Sequence, residues 1–361
     1  MRAAVFHGRG DVRIETVTRP EAQLGELLIR VGAVGICGTD AHEFSIGPDM
    51  FPIEHKHPVT GHIGPMIPGH EIAGVVEAVG PGVESFSAGM LVVTGGGISC
   101  GTCAWCRRGR TNLCDRYSTL GLQRNGGLAQ FVVAPSSTCI DAGSFGLGID
   151  SAALGQPMSI AVHAMRRGRL ERGDIAVVIG VGGIGAFLAF AAHEFGAIVV
   201  VTDINAQRLD IARTLGADHV VQPGIGAPLH EVLESNGLIP TVIYEVSGSA
   251  HGLAQALALV PRGGRIVLVG LQHDPVEINF RDVSVREIEL LGTQAHCVGA
   301  DLPEALRLLS MRPGGWSDIA PVALSLDHLV DDGLRPLAEH RSNHIKTLID
   351  PWASTTRPTE G

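Results

Sequence analysis

Residues 175–203 read IAVVIGVGGIGAFLAFAAHEFGAIVVVTD, and the fold follows from how this stretch is divided. IAVVI is a short, uncharged, β-branched run of the kind that forms a strand buried on both faces. Gly180, Gly182, Gly183 and Gly185 then fall where the strand gives way to an apolar helical run from Ala186 to Phe195. This is the G-x-G-x-x-G context of a dinucleotide fold. Gly180 permits the tight turn, Gly182 lets backbone N–H groups approach a pyrophosphate, and Gly185 lets helix pack closely on strand, with the helix N-terminus as the anion site. Asp203 ends the second strand at the spacing of an acid that holds a ribose hydroxyl pair. A carboxylate there repels a 2′-phosphate, so NAD is expected rather than NADP. Residues 175–192 carry no charge and pass a membrane-span length test, but the four glycines cut the run into a strand and a helix.

With 361 residues there is length for two or three domains and a sizeable core, and 45% hydrophobic with 18% charged residues is an ordinary globular balance. The net charge of −10 and the lack of a basic run argue against nucleic acid as a partner. MRAAVFHGRGDVRIETV has no apolar secretory segment, so a cytoplasmic, thiol-preserving compartment is expected. Seven cysteines then read as metal ligands or buried thiols. Cys100, Cys103, Cys106 and Cys114 form C-x2-C-x2-C-x7-C, which suits a structural zinc and is too cramped for two relaxed disulfides. Cys139 and Cys297 read as small buried hydrophobes.

From Met1 to about Val34, short alternating segments separated by Gly, Pro and charges predict antiparallel strands. GICGTDAH follows at 35–42, with Cys37, Thr39, Asp40 and His42 crowded together. PGHEIAGVVEAVG then presents His70 and Glu71 ahead of a strand. Asp40 could cap a helix or orient a ligand. His55, His57 and His62 sit among Pro and Gly and read as a solvated loop. After Asp203, strands and helices alternate: a helix from about Ala206, a strand near His219–Val221, a helix near Leu229, strands TVIYEV and RIVLVG, and a sixth strand at EIELLGT. Arg208, about one turn beyond Asp203, could pair with it or lie on the adenine side. ASTTRPTEG at the end reads as a disordered tail.

GICGTDAH, GHEIAGVVEAVG, the cysteine cluster and GVGGIG occur in the order and spacing of the zinc-dependent medium-chain alcohol dehydrogenases. The chain resembles that family from Met1 to about Pro351, and within it the butanediol and sorbitol dehydrogenase branch. The resemblance implies a Rossmann doubly wound sheet inserted in a β-rich, GroES-like catalytic domain. Residues 1–156 and 296–361 would form the catalytic domain and 157–295 the NAD-binding one, with nicotinamide in the cleft beside a catalytic zinc. Cys37 and His70 would bind that zinc, and Glu71 would ligate it or exchange with its water. Thr39 would hydrogen-bond the substrate hydroxyl, and His42 would pass its proton to solvent. The branch places Glu before Pro at the third ligand, where this chain has Gln156. A neutral amide is a poor zinc ligand, so metal retention is expected to be vulnerable. Implied are two zinc ions per chain, NAD, a secondary alcohol, vicinal diol or polyol as substrate, and a homodimer or homotetramer. The rival readings are a non-catalytic NAD-binding protein with a decayed zinc site and a zinc-free reductase on the same fold.

Overall fold

In the computed structural model, which describes residues 1–272, 274–342 and 344–360, chain contacts divide the protein into two units. One comprises Met1–Ser159 with His296–Gly361, the other Ile160–Ala295. The first crossing thus lies after Ser159, inside a helix, rather than at residue 156.

The first unit is built on alternation. β1 (Arg2–Gly8) and β2 (Asp11–Thr16) form an antiparallel hairpin. β3 (Glu26–Gly35) runs through ELLIRVGAVG, and Leu27, Ile29, Val31 and Val34 are sealed in the core. At roughly 1.5–3 kcal/mol per fully buried aliphatic side chain, such strands supply much of the unit's stability. α1 (Gly38–Ser45) follows at once, and β4 (Glu71–Val79) returns antiparallel to β3 with Gly35 opposite Glu71. The chain continues through β5 (Leu91–Thr94), β6 (Gly97–Ile98), the short α2 (Ala104–Arg107), β7 (Ser118–Thr119), β8 (Phe131–Pro135) and β9 (Cys139–Asp141). Two helices, α3 (Ile149–Ala153) and α4 (Gly155–Gly168), then lead out of this unit.

The second unit alternates strand and helix. β10 (Ile175–Ile179), α5 (Gly183–Phe195), β11 (Ile198–Thr202), α6 (Ala206–Thr214), β12 (His219–Val221), α7 (Leu229–Ser235), β13 (Val242–Glu245), α8 (Ala250–Leu259), β14 (Arg265–Leu268), α9 (Phe280–Val285) and β15 (Glu289–Gly292) follow in order. Among the described residues they give a parallel sheet of six strands, ordered β12-β11-β10-β13-β14-β15. The strand order reverses between β10 and β13, and in such sheets the crevice at the carboxyl ends beside that switch is the ligand site. Ala186–Ala192 of α5 is buried throughout, which explains why the helix carries no charge there. Among the described residues, no helix is long and apolar enough to cross a membrane.

The chain returns to the first unit with α10 (Val298–Met311), β16 (Val322–Ser325), α11 (Arg335–Ala338), β17 (Leu348–Asp350) and β18 (Arg357–Pro358). β17 pairs with the end of β3, so the last strands join the main sheet. The reading of a disordered tail is corrected here. Residues 351–360 are pinned by β18 pairing with β16, by Arg357 on Asp150 and Asp350, and by Trp352 Nε1 donating to Val31 O at 2.8 Å. Composition alone is blind to such long-range partners.

Candidate active site

Antiparallel register brings the first cluster together. Because Gly35 faces Glu71, the residues that follow β3 and those that open β4 are neighbours. A Cβ on Gly35 would stand 2.0 Å from Glu71 Oε2, so only glycine allows the carboxylate to lie there. Cys37 caps α1, and its N–H donates to Asp40 Oδ2 at 3.0 Å. Asp40 Oδ1 lies 3.8 Å from His70 Nδ1, so one carboxylate both caps the helix and faces the imidazole. The ligand atoms of Cys37, His70 and Glu71 fall within 4.8 Å of one another. Gln156, at the start of α4, is 5% exposed.

Asp40 Oδ1, His70 Nδ1, Glu71 Oε2 and Gln156 Oε1 are all buried without a hydrogen-bond partner. Each such atom costs on the order of 1–3 kcal/mol, so the three on Asp40, His70 and Glu71, beside the Cys37 thiol, mark a place for a cation. A thiol, an imidazole and a carboxylate form a donor set that fits zinc. Glu71 Oε1 is held by Lys346, whose ammonium also donates to Ile36 O at 3.3 Å. Burial opposes the charge on Lys346, but Glu71 and Cys37 outweigh it and raise its pKa. Burial likewise disfavours charge on His70, yet Asp40 and Cys37 hold its pKa up at about 9. Burial pushes the carboxyl of Asp40 up. Lys346 was missed by sequence reading because it is 275 residues from its partner.

Thr39 lies beside Cys37, with Oγ1 3.9 Å from Sγ. His42 Nε2 meets Asp49 Oδ2 at 2.7 Å, and the Asp49 side chain is 62% exposed while that of His42 is 15% exposed. Glu43, fully buried, arranges this contact by accepting the N–H groups of Asp49, Met50 and Phe51. Asp49 and Glu43 escaped sequence reading, because no spacing rule links a helix acid to a loop folded back on it. Phe44 and Phe51 are core residues, Phe51 packing edge-on against Phe6 at 4.8 Å. His57 Nδ1 accepts from Thr60 N and His62 Nε2 bonds with Gly64 O, both within their own loop.

Cys100, Cys103, Cys106 and Cys114 also converge within 4.8 Å. Cys100 N donates to Cys114 Sγ at 3.2 Å and Cys103 N to Cys100 Sγ at 3.3 Å. The N–H and hydroxyl of Thr102 help to pull the Cys100 thiol down to about 6, while desolvation and the neighbouring sulfurs push Cys106 up to about 11. Four sulfurs facing one point, some already stabilised as thiolate, form a closed tetrathiolate site. Cys139 and Cys297 are buried, and burial pushes the Cys139 thiol to about 12.

In the second unit the turn after β10 is an anion cradle. Gly180 has φ +96°, a conformation that favours glycine. A Cβ on Gly185 would stand 1.9 Å from Gly180 O, so α5 can approach β10 only without a side chain there. Gly182 caps α5 and Gly183 is its first residue. At the Gly182 Cβ position nothing lies nearer than Arg208 Nη1 at 4.0 Å. Asp203 Oδ2 accepts Val181 N–H at 2.7 Å and Oδ1 accepts Asn205 N–H at 2.8 Å. Asp203 is therefore tied to the glycine turn. Arg208 makes no ion pair with Asp203 among the described residues, and its guanidinium lies beside Gly182.

Glu245, at the end of β13, is fully buried and accepts from Ser247 N at 2.9 Å and Gln272 Nε2 at 3.2 Å. Burial raises its pKa against those hydrogen bonds. It braces the Ser247–Gly248 turn that abuts Gly180. Its sequence signal, an acid closing a buried strand ahead of Ser-Gly-Ser, parallels that of Asp203.

Residues 23–144 match the model of the alcohol dehydrogenase GroES-like domain and residues 183–311 that of zinc-binding dehydrogenases. The chain is 31% identical to (R,R)-butanediol dehydrogenase of Neisseria gonorrhoeae, across 97% of this chain and 99% of that one. It is 32% identical to sorbitol dehydrogenase of Bacillus subtilis, covering 92% and 89% respectively. The crystal structure of 2R,3R-butanediol dehydrogenase from Bacillus subtilis superposes with a TM-score of 0.88 at 29% identity, covering 97% of this chain and 99% of the other. Metal-binding clusters, glycine cradle and full-length similarity together make this chain an oxidoreductase that belongs to the zinc-binding alcohol dehydrogenase family.

Proposed function

We propose that the protein interconverts secondary alcohols and ketones with NAD, its substrates being vicinal diols or short polyols. The observation that carries the zinc-dependent chemistry is the knot of unpartnered polar atoms on Asp40, His70 and Glu71 beside Cys37. Cys37, His70 and Glu71, with Gln156 Oε1 as the neutral fourth group, would hold a catalytic zinc, and the four clustered cysteines a second, structural one. Zinc, when bound, supplies Lewis acidity that lowers the pKa of a substrate hydroxyl. NAD, when bound, supplies the hydride acceptor.

The chain's own residues do the rest. Asp40 orients the His70 ring, and Lys346 holds one oxygen of Glu71 and leaves the other toward the cluster. Thr39 Oγ1 accepts a hydrogen bond from the substrate hydroxyl and, as that proton moves onto it, releases its own toward His42, which passes a proton to Asp49 at the solvent face. The glycine cradle and Arg208 would hold the pyrophosphate, and Asp203 would hold the adenosine ribose. Exposed β15, at the sheet edge, is the feature that supports a homo-oligomer. Seven cysteines outside disulfides support a cytoplasmic setting.

The deciding measurement is zinc per chain on dialysed protein, followed by NADH formation on a panel of diols and polyols. Near two zinc ions with diol-dependent NADH formation is expected. About one zinc, or activity surviving removal of both, overturns the mechanism. For Asp203→Ala we expect NAD selectivity over NADP to fall by about tenfold or more, a loss of about 1.4 kcal/mol of discrimination. Unchanged kcat/KM ratios would remove Asp203 from ribose recognition.

A further inference from the structure

We infer that residues 350–360 form a strap that positions Gln156 at the metal site, with Arg357 as its fastening residue. The inference rests on the assignment of Gln156 to that site. Asp150, in α3, is 2% exposed. Its oxygens are engaged from the strap: Arg357 Nη1 at 2.7 Å, Arg357 Nη2 at 2.9 Å and Glu360 N at 2.8 Å. The same guanidinium donates through Nε to Asp350 Oδ2 at 2.8 Å. One planar fork thus joins the end of β17 to α3, in the bidentate geometry only arginine provides.

α3 needs such a fastener. It has five residues, and its N-cap, Gly148, offers no side-chain cap. Beneath it, the Ile149 side chain fills the space over Gly32 of β3, where a Cβ would meet Ile149 Cδ1 at 1.9 Å. α3 is therefore seated on β3 and tied from the tail. Only Leu154 separates it from α4, so Gln156 follows any rotation of α3. The tail itself is anchored: Trp352 bonds to Val31 O, and Thr359 Oγ1 donates to Ala320 O at 2.5 Å. An amide oxygen has little intrinsic affinity for zinc, so what it contributes depends on being held in place.

The test uses the holoenzyme and the variants Arg357→Gln, Arg357→Lys, Asp350→Asn and Gln156→Ala. Two quantities are read: the rate of metal release to a chelator from each site, and the visible spectrum after cobalt replaces the catalytic zinc. Arg357→Gln is expected to release the catalytic metal about tenfold faster and to shift the cobalt bands in the direction of Gln156→Ala, while the four-cysteine zinc leaves at the parental rate. Arg357→Lys recovers part of the loss. Should Arg357→Gln fail to fold, Asp350→Asn, which keeps the Asp150 pair, carries the same expectation at smaller size. Parental release and spectrum in the Arg357 and Asp350 variants, with Gln156→Ala altered, overturn the strap alone. Equal acceleration at both metal sites also overturns it, because that is general loosening. An unaltered Gln156→Ala overturns the assignment of Gln156, and the strap's route with it.

Discussion

Asp49 shows how a single side chain acquires a role that its neighbours in sequence do not announce. Its carboxylate reaches His42 because the buried Glu43 gathers the N–H groups of residues 49–51 and folds the loop back. Positioned proton acceptors contribute roughly 10²–10⁴-fold to rate, and one removed by a step from the substrate contributes a fraction of that. Asp49→Asn should therefore lower kcat by about tenfold with KM little changed, and His42→Ala by about a hundredfold. Added imidazole should restore part of the His42→Ala loss. A parental kcat in Asp49→Asn would show that His42 releases its proton by another route. At this scale Cys37, His70 and Glu71 were singled out by the resemblance of GICGTDAH and GHEIAGVVEAVG to a family's motifs. Lys346 was not, because its partner is reached only across the sheet.

Element ends carry most of the chemistry. Cys37 caps α1, Glu71 opens β4, Gly182 caps α5, and Asp203 and Glu245 close β11 and β13. Strand and helix positions were readable from runs of aliphatic residues and their glycine stops, whereas the turns between them depend on partners elsewhere. Glu245 illustrates this, for it is buried as a carboxylate to hold the turn after β13. Its pKa is raised above the ordinary 4.5 in the folded protein, so the fold binds its proton more tightly than the unfolded chain does. What this group contributes is therefore full below about 4.5 and is lost as pH rises through its folded value. Glu245→Gln does not titrate, so the melting temperature of the parent relative to this variant should decline between pH 4.5 and neutrality. Calorimetry across that interval checks it; a difference that grows with pH would mean that ionisation of Glu245 stabilises the turn.

Across the whole molecule, the four-cysteine cluster and the Cys37, His70 and Glu71 cluster differ in how local they are. The four cysteines lie within fifteen residues and would hold their lobe together through one ion, so Cys106→Ser should cost one zinc per chain and lower the melting temperature by several degrees. Parental zinc content in that variant would refute the tetrathiolate site. The second cluster instead draws on residues 37, 70–71 and 346, from separate stretches of the first unit and its returning end. Local pattern was enough to read the parallel sheet, the glycine turn and the four-cysteine cluster. Each depends on spacing within a few residues or on periodicity along one element, and both are written directly in a chain. The tertiary structure alone decided that Lys346 holds Glu71, that Asp49 backs His42, that Arg208 stands apart from Asp203, and that the tail is a fastened strap. Those depend on register between strands and on which distant charges burial forces to pair, and no local stretch of sequence encodes either.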